Sequence, residues 1–422
     1  MKKISRRDFL KVAGISAAAM GLAACGGSSS STAASTAAST AEPQDVSLVM
    51  WGAEEDQSML KDMVEAFKAE HADEVNLNIT IGVQSESSAK DTVLTDPTAA
   101  ADVFAFADDQ INDLVAASAL QPIADIGDRL SLADVQSRNA SGSVDAATVN
   151  GTLYAFPLTA SNGYFMFYDA SVFTEDDVKT MDRMLEVAGA AGKQITMQLN
   201  SGWYLYSFFA GAGLSLSLNE DGSNACNWNE APGTDVVQAI LDICSNPAFV
   251  SLQDADFVAG VQDGSLVAGV NGTWNATVAE EAWGENYAAT KLPTYTLNGE
   301  QVQMCSFSGF KLLGVNPHSA NVGWAMLLAD YISNEENQAK RFELRGEGPA
   351  NLNAAASEAV QAAPAIAALA EQAAYSTPQR VGGNYWTPTE TLGDILAAGN
   401  PDGTDLQALL DTCVEGITAP VA

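Results

Sequence analysis

Histidine and positive charge are what this chain of 422 residues has least of: two histidines, and 19 lysines and arginines against 53 acidic residues. Five of the basic residues, Lys2, Lys3, Arg6, Arg7 and Lys11, fall in the first 24 positions beside a single acid, Asp8. The remainder carries 14 basic against 52 acidic residues, a net charge near −38. A field of that sign repels nucleic acid and anionic headgroups, which excludes nucleic acid as a partner, and it favours a soluble monomer. No CxxC occurs and His71 and His318 are far apart, so no metal site is expected. Beyond residue 24 there is no uninterrupted apolar run of about eighteen residues, the length needed to cross a bilayer. The GxSxG, HExxH and Walker-type patterns are missing too, and no cofactor motif appears. Two adjacent acid pairs, Glu54-Glu55 and Asp108-Asp109, are present. Neighbouring strand residues point to opposite faces, so neither pair converges on one bond as glycosidase carboxylates do, and no enzyme is expected.

What is there begins with an export signal. The basic start is followed by residues 12–24, nearly all apolar or small and too short for a comfortable membrane span. Leu22-Ala23-Ala24-Cys25 resembles the bacterial lipobox, which implies cleavage after residue 24 and a lipid on Cys25 as the only contact with the membrane. Ser5-Arg6-Arg7-Asp8-Phe9-Leu10-Lys11 also looks like a twin-arginine signal; Sec and Tat export both stay open. Residues 25–44 are mostly Ser, Thr, Ala and Gly and read as a flexible tether to an extracytoplasmic domain. Cys226, Cys244, Cys305 and Cys413 allow three disulfide pairings, and their spacing does not choose among them.

The domain is of α/β class. Val46–Trp51 reads as a strand, apolar residues from Met59 to Phe67 fall at helical spacing, and Val75, Leu77, Ile79 and Ile81 alternate. A strand over Asp102–Ala107 and a helix over Ile111–Ala119 follow. The rhythm restarts with a strand over Gln194–Leu199, helices over Gly202–Ala210, Thr234–Cys244 and Asp256–Val261, and a strand over Leu266–Val270. A strand over Phe310–Val315 then leads into mostly helical sequence.

Four segments carry a family resemblance: Asp102–Gln110, Gly151–Leu158 running into Phe167-Tyr168-Asp169, Val270–Asn275, and Gly346–Asn351. In order and spacing they resemble the extracellular solute-binding proteins of sugar ABC importers, the maltose and maltodextrin binders in particular. The resemblance implies a two-lobed, type II periplasmic-binding-protein fold with a hinge of several crossovers and a central ligand cleft. Carried onto this chain, it places lobe 1 at 45–158 plus 313–360 and lobe 2 at 159–312 plus 361–422. It implies an oligosaccharide ligand, maltodextrin-type foremost, and ABC permease subunits as partners. A peptide, polyamine or other non-sugar solute is the alternative, the polyamine because it suits an acidic cleft.

A pyranose presents C–H faces to aromatic rings and a hydroxyl rim to carboxylates and amides. Trp274 and Trp386 match stacking positions of the family, Trp203 and Tyr204 lie where it places an aromatic residue, and Phe106 lies where maltodextrin binders often have tryptophan. Trp203, Trp274 and Trp386 also sit at loop-to-helix junctions beside Gly, Asn or Pro, where large rings tend to line clefts; Phe106 and Tyr204 are as readily core. For the rim, Asp109 at a strand end leads, with Gln110, Glu54 and Glu55 behind it. Gln110 stands where the family has an arginine and Ser161 where it has a glutamate, two departures that leave the identity of the sugar open.

Overall fold

The computed structural model describes residues 44–219 and 221–420. The signal, Cys25 and the tether lie outside the described residues, save Gln44, which opens the first strand.

The expected strand–helix rhythm is present. Met59, Leu60, Met63, Val64 and Phe67 form the buried face of the helix Gln57–Glu70. Each such side chain taken out of water contributes about 1.5–3 kcal/mol, which is why a helix forms here at all. The strands that this face covers read as alternation, as in Gln44–Gly52, or as unbroken burial, as in Val103–Ala107. The helix expected over Ile111–Ala119 stops at Ala116, because Ser118 turns into the left-handed region at φ 56°. The helix expected over Asp256–Val261 extends to Asp254–Asp263 and is closed by Gly264 at φ 74°, a conformation glycine adopts without strain.

Ten strands form one curled sheet. At one end Val75–Val83 and Val103–Ala107 flank Gln44–Gly52, all three parallel. At the other, Phe249–Val250, Gln194–Thr196 and Leu266–Gly272 run parallel to one another. Two strands join the ends: the long strand Ala155–Asp169 and the return strand Ser306–Val315, antiparallel to each other. The long strand gives Ala155, Phe156 and Leu158 to a first hydrophobic core and Tyr164, Met166 and Tyr168 to a second. The return strand divides the same way, with Phe307 in the second core and Leu312, Leu313 and Val315 in the first. Where the chain passes between cores, the pairing of the two strands slips register between Gly309 and Lys311 and again between Lys311 and Leu312. An interrupted ladder lets a strand bend, so the sheet turns here from one core to the other. The result is a two-lobed α/β fold.

All four cysteines among the described residues are free thiols, Cys413 buried and the others half-buried. Burial pushes the Cys226 thiol up to about 11 and Cys244 and Cys413 up to about 12, so they stay protonated and unreactive at neutral pH.

Candidate functional site: the cleft at the strand crossovers

In open α/β sheets, the space outside the carboxyl ends of the strands is where ligands bind. In the first lobe those ends are Gly52, Val83 and Ala107, and each is followed at once by charge: Asp56, Glu86 and Asp108-Asp109.

Beneath this rim lies a buried ionic chain. Asp56 pairs with Arg341, Arg341 with Glu347 at 2.9 Å, and Glu347 with Lys311 of the return strand. Lys311 Nζ is 3.5 Å from Glu86 Oε1, and Arg345 Nε reaches Asp56 at 3.1 Å. Burial alone would raise the Glu347 carboxyl, but the Lys311 and Arg341 charges hold it down to about 2. Glu86 goes the other way: burial outweighs Lys311, and its Oε1 accepts no hydrogen bond.

Asp108 is 1% exposed. Its Oδ1 accepts the Phe310 N–H at 2.9 Å and its Oδ2 accepts from Arg380 Nη1 at 3.0 Å. Gly309 makes this possible, since a Cβ there would lie 2.5 Å from Asp108 Oδ1. Gly309→Ala should therefore dislodge the carboxylate and destabilise the fold by about 1–3 kcal/mol, visible as a lower urea midpoint. Asp109 is half-buried, with an Oδ1 that is sealed from solvent and has no hydrogen-bond partner. Burial, and then the neighbouring Asp108 charge, raise its carboxyl to about 7.

The second lobe supplies the rings. Trp203 lies 5.5 Å from Phe307 at 26°, close to parallel, and edge-on to Tyr164 at 5.3 Å. Phe307 also stacks on Tyr206 at 3.8 Å and meets Tyr385, which carries Trp386 edge-on at 5.0 Å. Trp274 Nε1 donates to Asp254 at 3.4 Å, and its ring is 6.0 Å from Lys311 Nζ. From the first lobe, Arg345 Nη2 donates to Trp274 O at 3.4 Å. Trp203, Trp274 and Trp386 are all half-buried, each keeping some surface open.

Four other expected site residues, Phe106, Tyr204, Gln110 and Ser161, are spent inside the protein. Phe106 is fully buried beside Phe104 in the first core, because its strand is covered on both faces and no ring on it is free. Tyr204 is 6% exposed and packs edge-on to Tyr164 at 5.0 Å, so it backs the aromatic cluster. The Gln110 amide donates to Glu86 O at 2.7 Å and Ser87 O at 3.2 Å and accepts from Lys90 N at 2.9 Å, which uses it up on backbone. Ser161 Oγ accepts from Gly348 N at 2.7 Å and lies 3.0 Å from Thr273 Oγ1, tying the crossover together. Glu54 and Glu55 are exposed; Glu55 comes within 4.0 Å of Arg345.

The sequence reading did not single out Glu86, Lys311, Arg341, Glu347 or Arg380. One signal for them was available: with only 14 basic residues outside the first 24, each internal cation is conspicuous, and four of them, Lys311, Arg341, Arg345 and Arg380, gather at this site.

Residues 62–368 match the family described as bacterial extracellular solute-binding protein, and residues 3–23 match the twin-arginine translocation signal. The galactooligosaccharide-binding protein of Bacillus subtilis (strain 168) is 27% identical over 407 residues, 92% of this chain and 91% of that one. A structure solved with acarbose is 32% identical, with a TM-score of 0.77 over 89% of this chain and 99% of its own. The maltodextrin-binding protein of L. casei BL23, solved without ligand, is 25% identical, with a TM-score of 0.70 over 89% of this chain and 99% of its own.

Proposed function

Because the chain belongs to the bacterial extracellular solute-binding proteins, exported and not enzymes, we propose that it captures an oligosaccharide between its lobes and delivers it to an ABC permease. The observation that supports this reading is that the indoles of Trp203, Trp274 and Trp386 keep surface open, and that the Trp274 ring comes within 6.0 Å of Lys311 in the ionic chain. Indole faces suit the C–H faces of a sugar, and the half-buried Asp109 carboxyl, its Oδ1 sealed, can offer Oδ2 to a hydroxyl. The ligands for which the relatives are named, galactooligosaccharide and maltodextrin, belong to the same chemical class. We assign lobe 1 to 45–158 plus 313–360 and lobe 2 to 159–312 plus 361–422, with a lipid on Cys25 as anchor.

Binding here involves no bond-making. A sugar that stacks on the second lobe and hydrogen-bonds to the first has more contacts in the closed form than in the open one. It therefore shifts the population toward closure, and the permease reads the closed form. The free energy available for that shift is the difference in affinity between the two states.

A thermal-shift panel of maltotriose, galactotriose, xylotriose and spermidine tests the reading. At a concentration of about 100 Kd a sugar should stabilise by about 2.7 kcal/mol. Trp274→Ala and Trp386→Ala should each weaken that sugar by up to about 10-fold, given roughly 0.5–1.5 kcal/mol for a well-placed ring. Stabilisation by spermidine alone would replace the sugar with a polyamine.

A further inference from the structure

The acid pair Asp108-Asp109 meets a cation from a remote part of the chain. Arg380 follows the short strand Ser376–Pro378, which pairs in parallel with the return strand, and Gln379 N donates to Ser308 O at 2.9 Å. One guanidinium nitrogen, Nη1, is fully engaged: it donates to Asp108 Oδ2 at 3.0 Å and to Gln379 O at 2.9 Å. Its Nε and Nη2 have no hydrogen bond among the described residues, and the side chain is 43% exposed. A guanidinium is a rigid planar fork, so fixing one edge aims the other. Asp109 is the residue next to Asp108; its Oδ1 is sealed from solvent and lacks a donor, which leaves Oδ2 as the oxygen a ligand can meet. Arg380, Asp108 and the neighbouring Asp109 thus belong to one knot, at the register slip between the two crossing strands.

We propose that Arg380 is a specificity-determining residue of the cleft, held by Asp108 so that its free edge donates to one sugar hydroxyl while Asp109 accepts from a neighbouring one. The proposal rests on the oligosaccharide reading above. A donor and an acceptor fixed side by side select a vicinal diol of one orientation, and reject sugars whose hydroxyls diverge. On the lobe division above Asp108 belongs to the first lobe and Arg380 to the second, so the same contact couples the hinge angle to the diol site. Three charged groups act on Asp109: Asp108 on its own turn, Lys90 and Arg380. Lys90 is shared, its ammonium 3.0 Å from Asp113 and 3.9 Å from Asp91, which leaves Arg380 as the cation not otherwise paired with a surface acid.

The test uses the full chain with Arg380→Gln and Arg380→Lys, titrated calorimetrically with maltotriose and galactotriose, together with a carbon-13 titration of the aspartate carboxyls without ligand, assigned through Asp109→Asn. Loss of one charge-assisted hydrogen bond should weaken Arg380→Gln about 10- to 100-fold and narrow the preference between the two sugars. Arg380→Lys should keep the Asp109 midpoint but recover only part of the affinity, since the fork is gone. In the glutamine variant the Asp109 midpoint should move up. Affinity within twofold of the parent, with the same preference, overturns the proposal, and a lowered melting temperature alone would mark Arg380 as structural. If neither sugar binds the parent, the oligosaccharide reading fails, and an unmoved Asp109 midpoint in Arg380→Gln would then overturn the pairing of Arg380 with the acids as well.

Discussion

Glu347→Gln should destabilise the protein by about 3–5 kcal/mol, read as a fall in the denaturant midpoint with the slope unchanged. Glu347 is 2% exposed and, among the described residues, is the one carboxylate that pairs with both Lys311 and Arg341. An amide of the same shape leaves two cations with a single buried partner each, Glu86 for Lys311 and Asp56 for Arg341. Removing one member of a buried ionic chain is far more damaging than replacing the whole chain, because the desolvated partners stay behind. The pH dependence has a definite sign. In the fold Glu347 is held down to about 2, against 4.5 when free, so its contribution is complete above about pH 4.5 and is lost as pH falls toward 2. The glutamine variant should lose that acid limb, while the parent should show it in a melting series between pH 2 and 5.

Asp109→Asn should do the reverse to the empty protein: above pH 7 it should melt higher than the parent, and bind its sugar about 100-fold more weakly. The carboxyl titrates near 7 in the fold and near 3.8 when free, so the folded state holds a proton that the unfolded state releases. Stability from this group therefore falls as pH rises from about 4 to 7 and is flat above. Removing the charge restores on the order of 2 kcal/mol, once solvent access to the half-buried side chain is allowed for. Binding has the opposite sign. A hydroxyl donating to Asp109 needs the ionised form, so affinity should climb with pH up to about 7 and binding should release a proton below it. Calorimetry in two buffers of different ionisation enthalpy measures that proton. Equal heats at pH 6.5 would mean that Asp109 does not meet the ligand as a carboxylate.

The alternation at Val75–Ile81 and the helical spacing at Met59–Phe67 were legible because burial on one face leaves a period in the chain. Trp203, Trp274 and Trp386 were legible as open rings because each sits at a junction where backbone turns away from the core. Phe106 was not, since its strand is covered twice and a fully buried strand has no alternation to separate inner from outer positions. Gln110 and Ser161 look like site residues in a linear reading, yet their hydrogen bonds go to backbone that is distant in sequence: Glu86 O, and Gly348 N. The ionic chain was the hardest to see. Asp56, Glu86, Lys311, Arg341 and Glu347 come from five separate stretches, and only the crossing of the strands makes them neighbours.

Because the first core draws on residues 46–158 and then waits for Leu312 to Ile332, the ribosome must release more than three hundred residues before that half can close. Pairings so remote in sequence form slowly. A passenger behind a twin-arginine signal is expected to cross already folded, so folding should finish after synthesis and before export. Chaperone occupancy on the nascent chain should persist until the return strand emerges.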